Sequence, residues 1–246
     1  MEKLKEAVRF EVVSTLKYLR FFYCIEYSML AVTFLLTYLG RGGIDRPYFG
    51  AMEICSVIFI FIFGILGFQE DFKMFLQNGF TRRCIFVAVL TFFILSALLL
   101  ALVDSLAASL LGHLSSGYFS GFEAIYGEGH AWGVQLLYRF ELYLVIACVG
   151  YLGALVVVRF GKWRMMILGL VLVCLCFMIL PVVFREILPD ALRYSLATHV
   201  ELFFYGCVGF TGNETIRFIY PLITFAVLAG IGFGGAYALL RRVSLR

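Results

Sequence analysis

The sequence predicts an all-α integral membrane protein with six transmembrane helices, and three observations predict it. Hydrophobic residues make up 63% of the 246 positions and charged residues 15%, whereas a soluble domain is roughly half apolar and a quarter charged. The apolar excess is gathered into runs at 21–39, 49–68, 84–104, 140–158, 165–184 and 218–240, close to the ~20 residues that cross a bilayer as a helix. The basic residues also sort by side, as the positive-inside rule requires.

Each span is expected to be a helix, because lipid offers backbone groups no partner outside their own segment. With six spans and a cytoplasmic N-terminus, 14 of the 20 Lys and Arg residues fall inside: Lys3, Lys5, Arg9, Lys17, Arg20, Lys73, Arg82, Arg83, Arg159, Lys162, Arg164, Arg241, Arg242 and Arg246. Arg41, Arg46, Arg139, Arg185, Arg193 and Arg217 fall outside. Both termini are thus expected in the cytoplasm of a multi-pass plasma-membrane protein. The net charge of +4 follows from this asymmetry and not from a nucleic-acid partner. About twenty residues of mixed charge precede the first run, and no A-x-A-like site follows it, so the first run is read as a retained helix.

Residues 2–20 carry Leu4, Val8, Val12, Leu16 and Leu19 at helical spacing among Lys3, Glu6, Arg9, Lys17 and Arg20. This pattern predicts an amphipathic helix lying in the membrane interface. A short glycine-containing turn, Gly40–Pro47, leads to the second span. Residues 69–83, QEDFKMFLQNGFTRR, form a polar stretch in which Phe72, Phe75 and Leu76 share a helical face. Glu70 and Asp71 at its start and Arg82 and Arg83 at its end suit a helix dipole, and Gly79 suits a helix stop. The third span is expected to end near Asp104. A loop of roughly thirty residues follows, with Tyr118, Phe119, Tyr126 and Trp132 placed for an interface. RFGKWR at 159–164 reads as a basic turn. Within 185–217, the apolar Leu196–Phe210 is too short to span and reads as re-entrant or interfacial. The last span holds Gly230 and Gly234 at a spacing that favours close helix packing.

No catalytic motif is present: no G-x-x-x-x-G-K-[ST], no H-E-x-x-H and no G-x-S-x-G. The chain is therefore read as a non-enzyme without cofactor or metal. Its seven cysteines lie mostly within apolar runs and read as free thiols, Cys174 and Cys176 standing about 200° apart on a helix. His113, His130 and His199 read as solvated loop residues, a zinc site with Glu123 or Glu128 being the alternative. Glu26, Glu53, Asp104, Arg139 and Glu141 lie near span ends, where snorkelling to the interface makes a charge cheap. A coupling role in transport would place such groups near the midplane.

The order of these segments, with GFQEDFKMFLQNGFTRRCIF at 67–86 and AYALLRRVSL at 236–245, resembles the permease subunit of bacterial ABC-2 type exporters. Many members carry a similar F-x-x-x-x-x-N-G-x-[ST]-R signature, matched here by Phe72, Asn78, Gly79, Thr81 and Arg82. The resemblance implies that 69–83 is a coupling helix docking on a separate ATPase subunit. Phe72, Phe75 and Leu76 would be its anchors and Glu70, Asp71, Arg82 and Arg83 its rim, with Lys73 alongside. It further implies two ATPase subunits, which hold the ATP and Mg, and a second permease, identical or paralogous. The cargo class it implies is an amphipathic or hydrophobic substrate, above all an antimicrobial or cytolytic peptide, with a lipid or drug-like compound as the alternative. A membrane interaction or sensor protein without transport is the reading of another class.

Overall fold

The computed structural model describes residues 2–41, 48–49, 52–69, 71–114, 118–127, 129–175, 189–211, 215–216 and 218–241, some of them by backbone alone. Among these the chain forms nine helices. They are α1 (Glu2–Arg41), α2 (Met52–Gln69), α3 (Asp71–Gln77), α4 (Arg82–Leu114), α5 (Gly121–Tyr126), α6 (Trp132–Phe160), α7 (Lys162–Cys174), α8 (Asp190–Val208) and α9 (Ile219–Leu240). Two-residue ladders pair Tyr48–Phe49 with Tyr118–Phe119 in parallel, and Phe210–Thr211 with Thr215–Ile216 antiparallel. The protein is an all-α membrane protein: α4, α6 and α9 are each long and apolar enough to cross a bilayer, and α2 is a shorter apolar helix.

The central element is α6, packed against α2, α4 and α9. Its buried Ala147, Cys148, Gly150 and Ala154 are small, so neighbouring backbones come close, as at helix contacts in membranes. At Gly64 of α2 an added Cβ would stand 2.5 Å from the Ala147 carbonyl oxygen, and one at Gly150 would press on the Phe61 carbonyl. The two helices therefore cross backbone to backbone. On the other side, a Cβ at Gly232 of α9 would meet the Cys148 thiol. Gly230 and Gly234 have nothing within 4 Å of an added Cβ, so the spacing that suggested close packing is not used within the described residues. The outward faces of α4 and α9 are apolar, with Val87, Ile94, Leu98, Ile223, Val227 and Ile231 exposed, as lipid contact requires.

Several expected boundaries move. Between residues 2 and 39 there is neither glycine nor proline, and α1 runs unbroken for 40 residues, about 60 Å at 1.5 Å per residue. Residues 2–20 are thus not a separate interfacial helix but the first half of α1. Ala7, Glu11, Thr15, Leu19 and Glu26 form its buried stripe. Its ring contacts, Phe10 to Phe75 at 5.9 Å, Tyr18 to Phe63 at 5.4 Å and Phe22 to Phe59 at 4.2 Å, set this half alongside α2 and α3. Lys5, Arg9, Lys17 and Arg20 face outward.

The third helix does not end near Asp104 but continues to Leu114, and α6 starts at Trp132 rather than 140. Asp104 does not stop α4 because its carboxylate is engaged by neighbouring helices, as described below. The intervening loop contains α5, closed by a capping box in which Ser120 Oγ accepts from the Glu123 N–H and Glu123 accepts from the Ser120 N–H. The expected span 165–184 coincides with α7 as far as Cys174, and its remainder from 176 lies outside the described residues. Within 185–217, residues 190–208 are the helix α8.

An aromatic cluster joins these outer elements. Phe122, Tyr126 and Tyr138 are buried against Phe210, Phe218 and Phe225. The Tyr126 hydroxyl donates to the Val208 carbonyl at 2.9 Å, satisfying the end of α8. Burial pushes the Tyr126 phenol up, so it remains a donor. His130 is not a solvated loop residue: its ring stacks edge-on at 4.6 Å from Phe218 and its Nε2 lies 2.9 Å from the Tyr126 carbonyl. Glu123 is used by the cap, His199 is exposed, and His113 and Glu128 lie outside the described side chains. No group of three metal-ligating side chains occurs among the described residues, and the five described cysteines are free.

Candidate functional site

Two places gather polar chemistry. The first is the joint between α3 and α4. The helix α3 stops after Gln77 with Gly79 at φ 74°. The Gly79 N–H donates to Leu76 O at 3.1 Å and the Phe80 N–H to Phe75 O at 3.0 Å. This pair of bonds is the Schellman stop. Its usual apolar contact is present as the Phe75 and Phe80 rings, 5.2 Å apart. Asn78 Nδ2 donates to Met74 O at 2.9 Å. Thr81 then starts α4, its Oγ1 accepting from the Cys84 N–H at 3.3 Å. The N-G-F-T-R signature is thus a helix stop followed directly by a helix start.

Arg82 and Arg83 do not end the short helix; they stand in the first turn of α4, where the dipole disfavours cations. Arg82 serves another helix end instead. Its Nη1 donates to the carbonyls of Arg241 and, at 3.4 Å, of Leu240. This supplies the last turn of α9 with the positive partner it lacks on its own chain segment. Phe75 is 3% exposed and packs on Phe10 and Phe80, and Leu76 is partly buried on the same core. Both point into this chain rather than away from it. Asn78, Gly79, Thr81 and Arg83 are exposed. Asp71, Phe72 and Lys73 lie on α3 with side chains outside the described set, and Glu70 lies outside it altogether. Gly79→Val will lower stability by about 1–2 kcal/mol, the cost of a left-handed conformation for a side chain with a Cβ; Gly79→Asn will cost less, and thermal unfolding in detergent reads the order.

The second place is a polar network inside the bundle, built from α1, α2, α4 and α6. Gln135, Arg139 and Tyr143 are spaced four apart on one face of α6. Arg139, 1% exposed, pairs with Glu53 of α2: Nη2 to Oε1 is 2.6 Å and Nε to Oε1 2.7 Å. Arg139 Nη1 also donates to Ser105 Oγ at 3.0 Å and to Gln135 Oε1 at 3.5 Å. One turn on, the Tyr143 hydroxyl donates to Asp104 Oδ2 at 2.5 Å, and Tyr23 of α1 donates to Asp104 Oδ1 at 3.4 Å. Asp104 is 2% exposed and Glu26 7%.

These charges do not snorkel. Glu53, Asp104 and Arg139 turn inward and are answered by neighbouring helices, which is why Arg139 belongs to the interior rather than to an outer loop. Glu141 is partly buried on the other side of α6. The sequence placed the charges near helix ends but could not pair them, since Glu53 and Arg139 are 86 residues apart. The spacing of Gln135, Arg139 and Tyr143 was the one available signal. Tyr23, Ser105 and Tyr143 were not singled out at all.

No family model, no curated protein and no solved structure matches this chain. The joint can transmit force: it ties a short surface helix to α1 through Phe10 and to α9 through Arg82. The network can hold charge: it pairs Arg139 with Glu53 and holds the buried Asp104 between the Tyr143 and Tyr23 hydroxyls.

Proposed function

We propose that this chain is the membrane-spanning permease subunit of an ATP-driven exporter of the ABC-2 type. It has six spans with both termini in the cytoplasm of a bacterial cell, and an outer segment between the last two. Two such subunits pair, identical or paralogous, and two separate ATPase subunits bind ATP and Mg beneath them. The observation that carries the reading is the bracing of α3. Phe75 packs on α1, the Phe75–Phe80 stop holds it to the start of α4, and Arg82 grips the end of α9. A helix held at three points moves the elements it is held to. ATP-driven closure beneath α3 would shift the permease between inward- and outward-open populations, through differential binding to the two states.

The bracing also reassigns the docking surface. Because Phe75 and Arg82 are occupied within the chain, the contact falls to the exposed Arg83 and to the exposed turn Arg159, Lys162 and Arg164, with Phe72 and Lys73 on α3. The cargo is an amphipathic or hydrophobic compound, an antimicrobial or cytolytic peptide being the class the resemblance favours.

The test is co-purification with an ATPase encoded beside this chain. Arg83→Glu combined with Lys162→Glu will lose at least half of the bound ATPase while leaving the thermal midpoint unchanged. Full retention of ATPase binding and of cargo-stimulated hydrolysis in that variant would reject the assignment.

A further inference from the structure

A groove runs between α1 and α4. On the α1 side it is lined by Leu16, Leu19, Arg20, Tyr23, Cys24 and Tyr27, on the α4 side by Leu99 and Val103, and its volume is about 500 Å³. The α1 residues recur at steps of three and four, so they form one stripe over three turns of helix, roughly 16 Å long. The other wall, α4, is long and apolar enough to cross a bilayer, and a groove along it follows the direction of lipid chains. Leu16, Arg20, Cys24 and Tyr27 are exposed, so the groove opens away from the bundle.

Its chemistry is one-sided. Leu16, Leu19, Leu99 and Val103 offer only hydrocarbon, and the Tyr23 hydroxyl is already given to Asp104. An occupant with polar groups along its body would leave them unpaired there. The one charged residue in the wall is Arg20. It ends the charged first half of α1, and between residues 21 and 40 the only charged residue is Glu26, which is buried. Arg20 is exposed and makes no ion pair among the described residues, and Lys17, three positions earlier, is exposed as well. An apolar groove with a cation where the apolar half of the helix begins matches an amphiphile with an anionic head and a hydrocarbon tail. A second copy of the chain fits poorly, since a two-fold pairing through this stripe brings the two Arg20 side chains together. A cationic amphipathic peptide meets the same charge.

We propose that the α1–α4 groove binds one anionic phospholipid, with an acyl chain along the Leu16–Tyr27 stripe and the phosphate on Arg20. Basic pockets between membrane helices hold anionic headgroups in this way. The phosphate oxygens accept from the Arg20 guanidinium, a charge-assisted contact, and Lys17 adds attraction from one turn away. The acyl chain supplies the contacts that α1 and α4 do not give each other along the groove. The site stands independently of the exporter reading.

Native mass spectrometry of the whole chain in detergent, titrated with phosphatidylglycerol or with phosphatidylcholine of the same chains, tests it. The wild type will retain one phosphatidylglycerol more tightly than phosphatidylcholine. Arg20→Gln will weaken that retention about fivefold, the effect of one basic side chain at an anionic headgroup. Arg164→Gln, which removes an exposed cation elsewhere, will leave it unchanged. Leu99→Trp, which fills the groove from its α4 wall, will weaken it with Arg20 intact. Cys24 gives a second reading that needs no variant: phosphatidylglycerol will slow its modification by a maleimide, and glycerophosphate, which has the head without the tail, will not. Equal retention of the two lipids, wild-type binding by Arg20→Gln, or protection of Cys24 by glycerophosphate would each overturn the proposal. So would protection by a cationic amphipathic peptide but not by the lipid, or a wild-type dimer that Leu99→Trp dissolves.

Discussion

Arg139→Leu will lower the stability of the bundle by about 3 kcal/mol, the cost of leaving the mostly buried Glu53 carboxylate, 16% exposed, without its cation. Arg139 is 1% exposed and gives Glu53 two contacts under 2.8 Å, so little water replaces it when it is removed. Ser105 and Gln135 lose their donor at the same time. The double variant Glu53→Leu/Arg139→Leu removes both charges together and will recover most of the loss, since buried ion pairs are commonly no more stabilising than apolar residues of similar volume. Arg159→Leu, an exposed arginine at the far end of the same helix, will stay near the wild-type value. Fluorescence of Trp132 and Trp163 during thermal unfolding in detergent reads all three. An Arg139→Leu midpoint equal to that of Arg159→Leu would mean that the pair is not closed in the folded protein.

Gly150→Leu will prevent α2 and α6 from meeting and abolish the folded state. An added Cβ at Gly150 presses on the Phe61 carbonyl, with the Gly64 Cα 3.3 Å away. The obstacle is backbone on both sides, with no flexible side chain to yield. Even Gly150→Ala forces the helices apart, at about 1–3 kcal/mol for overpacking. Gly153 lies three residues along the same helix, with nothing within 4 Å of an added Cβ. Gly153→Ala will be neutral or stabilising by up to about 1 kcal/mol, through reduced backbone entropy of the unfolded chain. Gel-filtration yield and thermal midpoint separate the two positions; equal behaviour would remove Gly150 from the crossing.

Much of this fold was legible along the chain. The run 218–240 became α9 within a residue at its start, because phenylalanine-rich apolar sequence bounded by polar residues has one solution in lipid. Gly79 as a helix stop was legible because few residues other than glycine adopt positive φ without strain. Boundaries set by polar residues were not. Asp104 and Arg139 look like helix ends when each is read alone, yet α4 and α6 pass straight through them. Each charge is answered by a partner 34 or more residues away, and no local rule contains that partner. The start of α1 misled for a related reason. Its charged and apolar residues do alternate as in an interfacial helix, but the stripe Ala7, Glu11, Thr15 and Leu19 found a bundle to pack on.

The site divides along the same line. Local chemistry announced the joint between α3 and α4, since each residue of N-G-F-T acts on its immediate neighbours. That Phe75 faces Phe10 and that Arg82 closes α9, 158 residues away, required the helices to be assembled. The sequence by itself determined that this is an all-helical membrane protein: apolar runs of bilayer length leave the backbone no other way to satisfy its hydrogen bonds. Only the tertiary structure decided which polar residues inside those helices are paired and which, like Glu26, find no hydrogen-bond partner among the described residues. Burial and pairing are properties of helices brought together, not of residues along one helix.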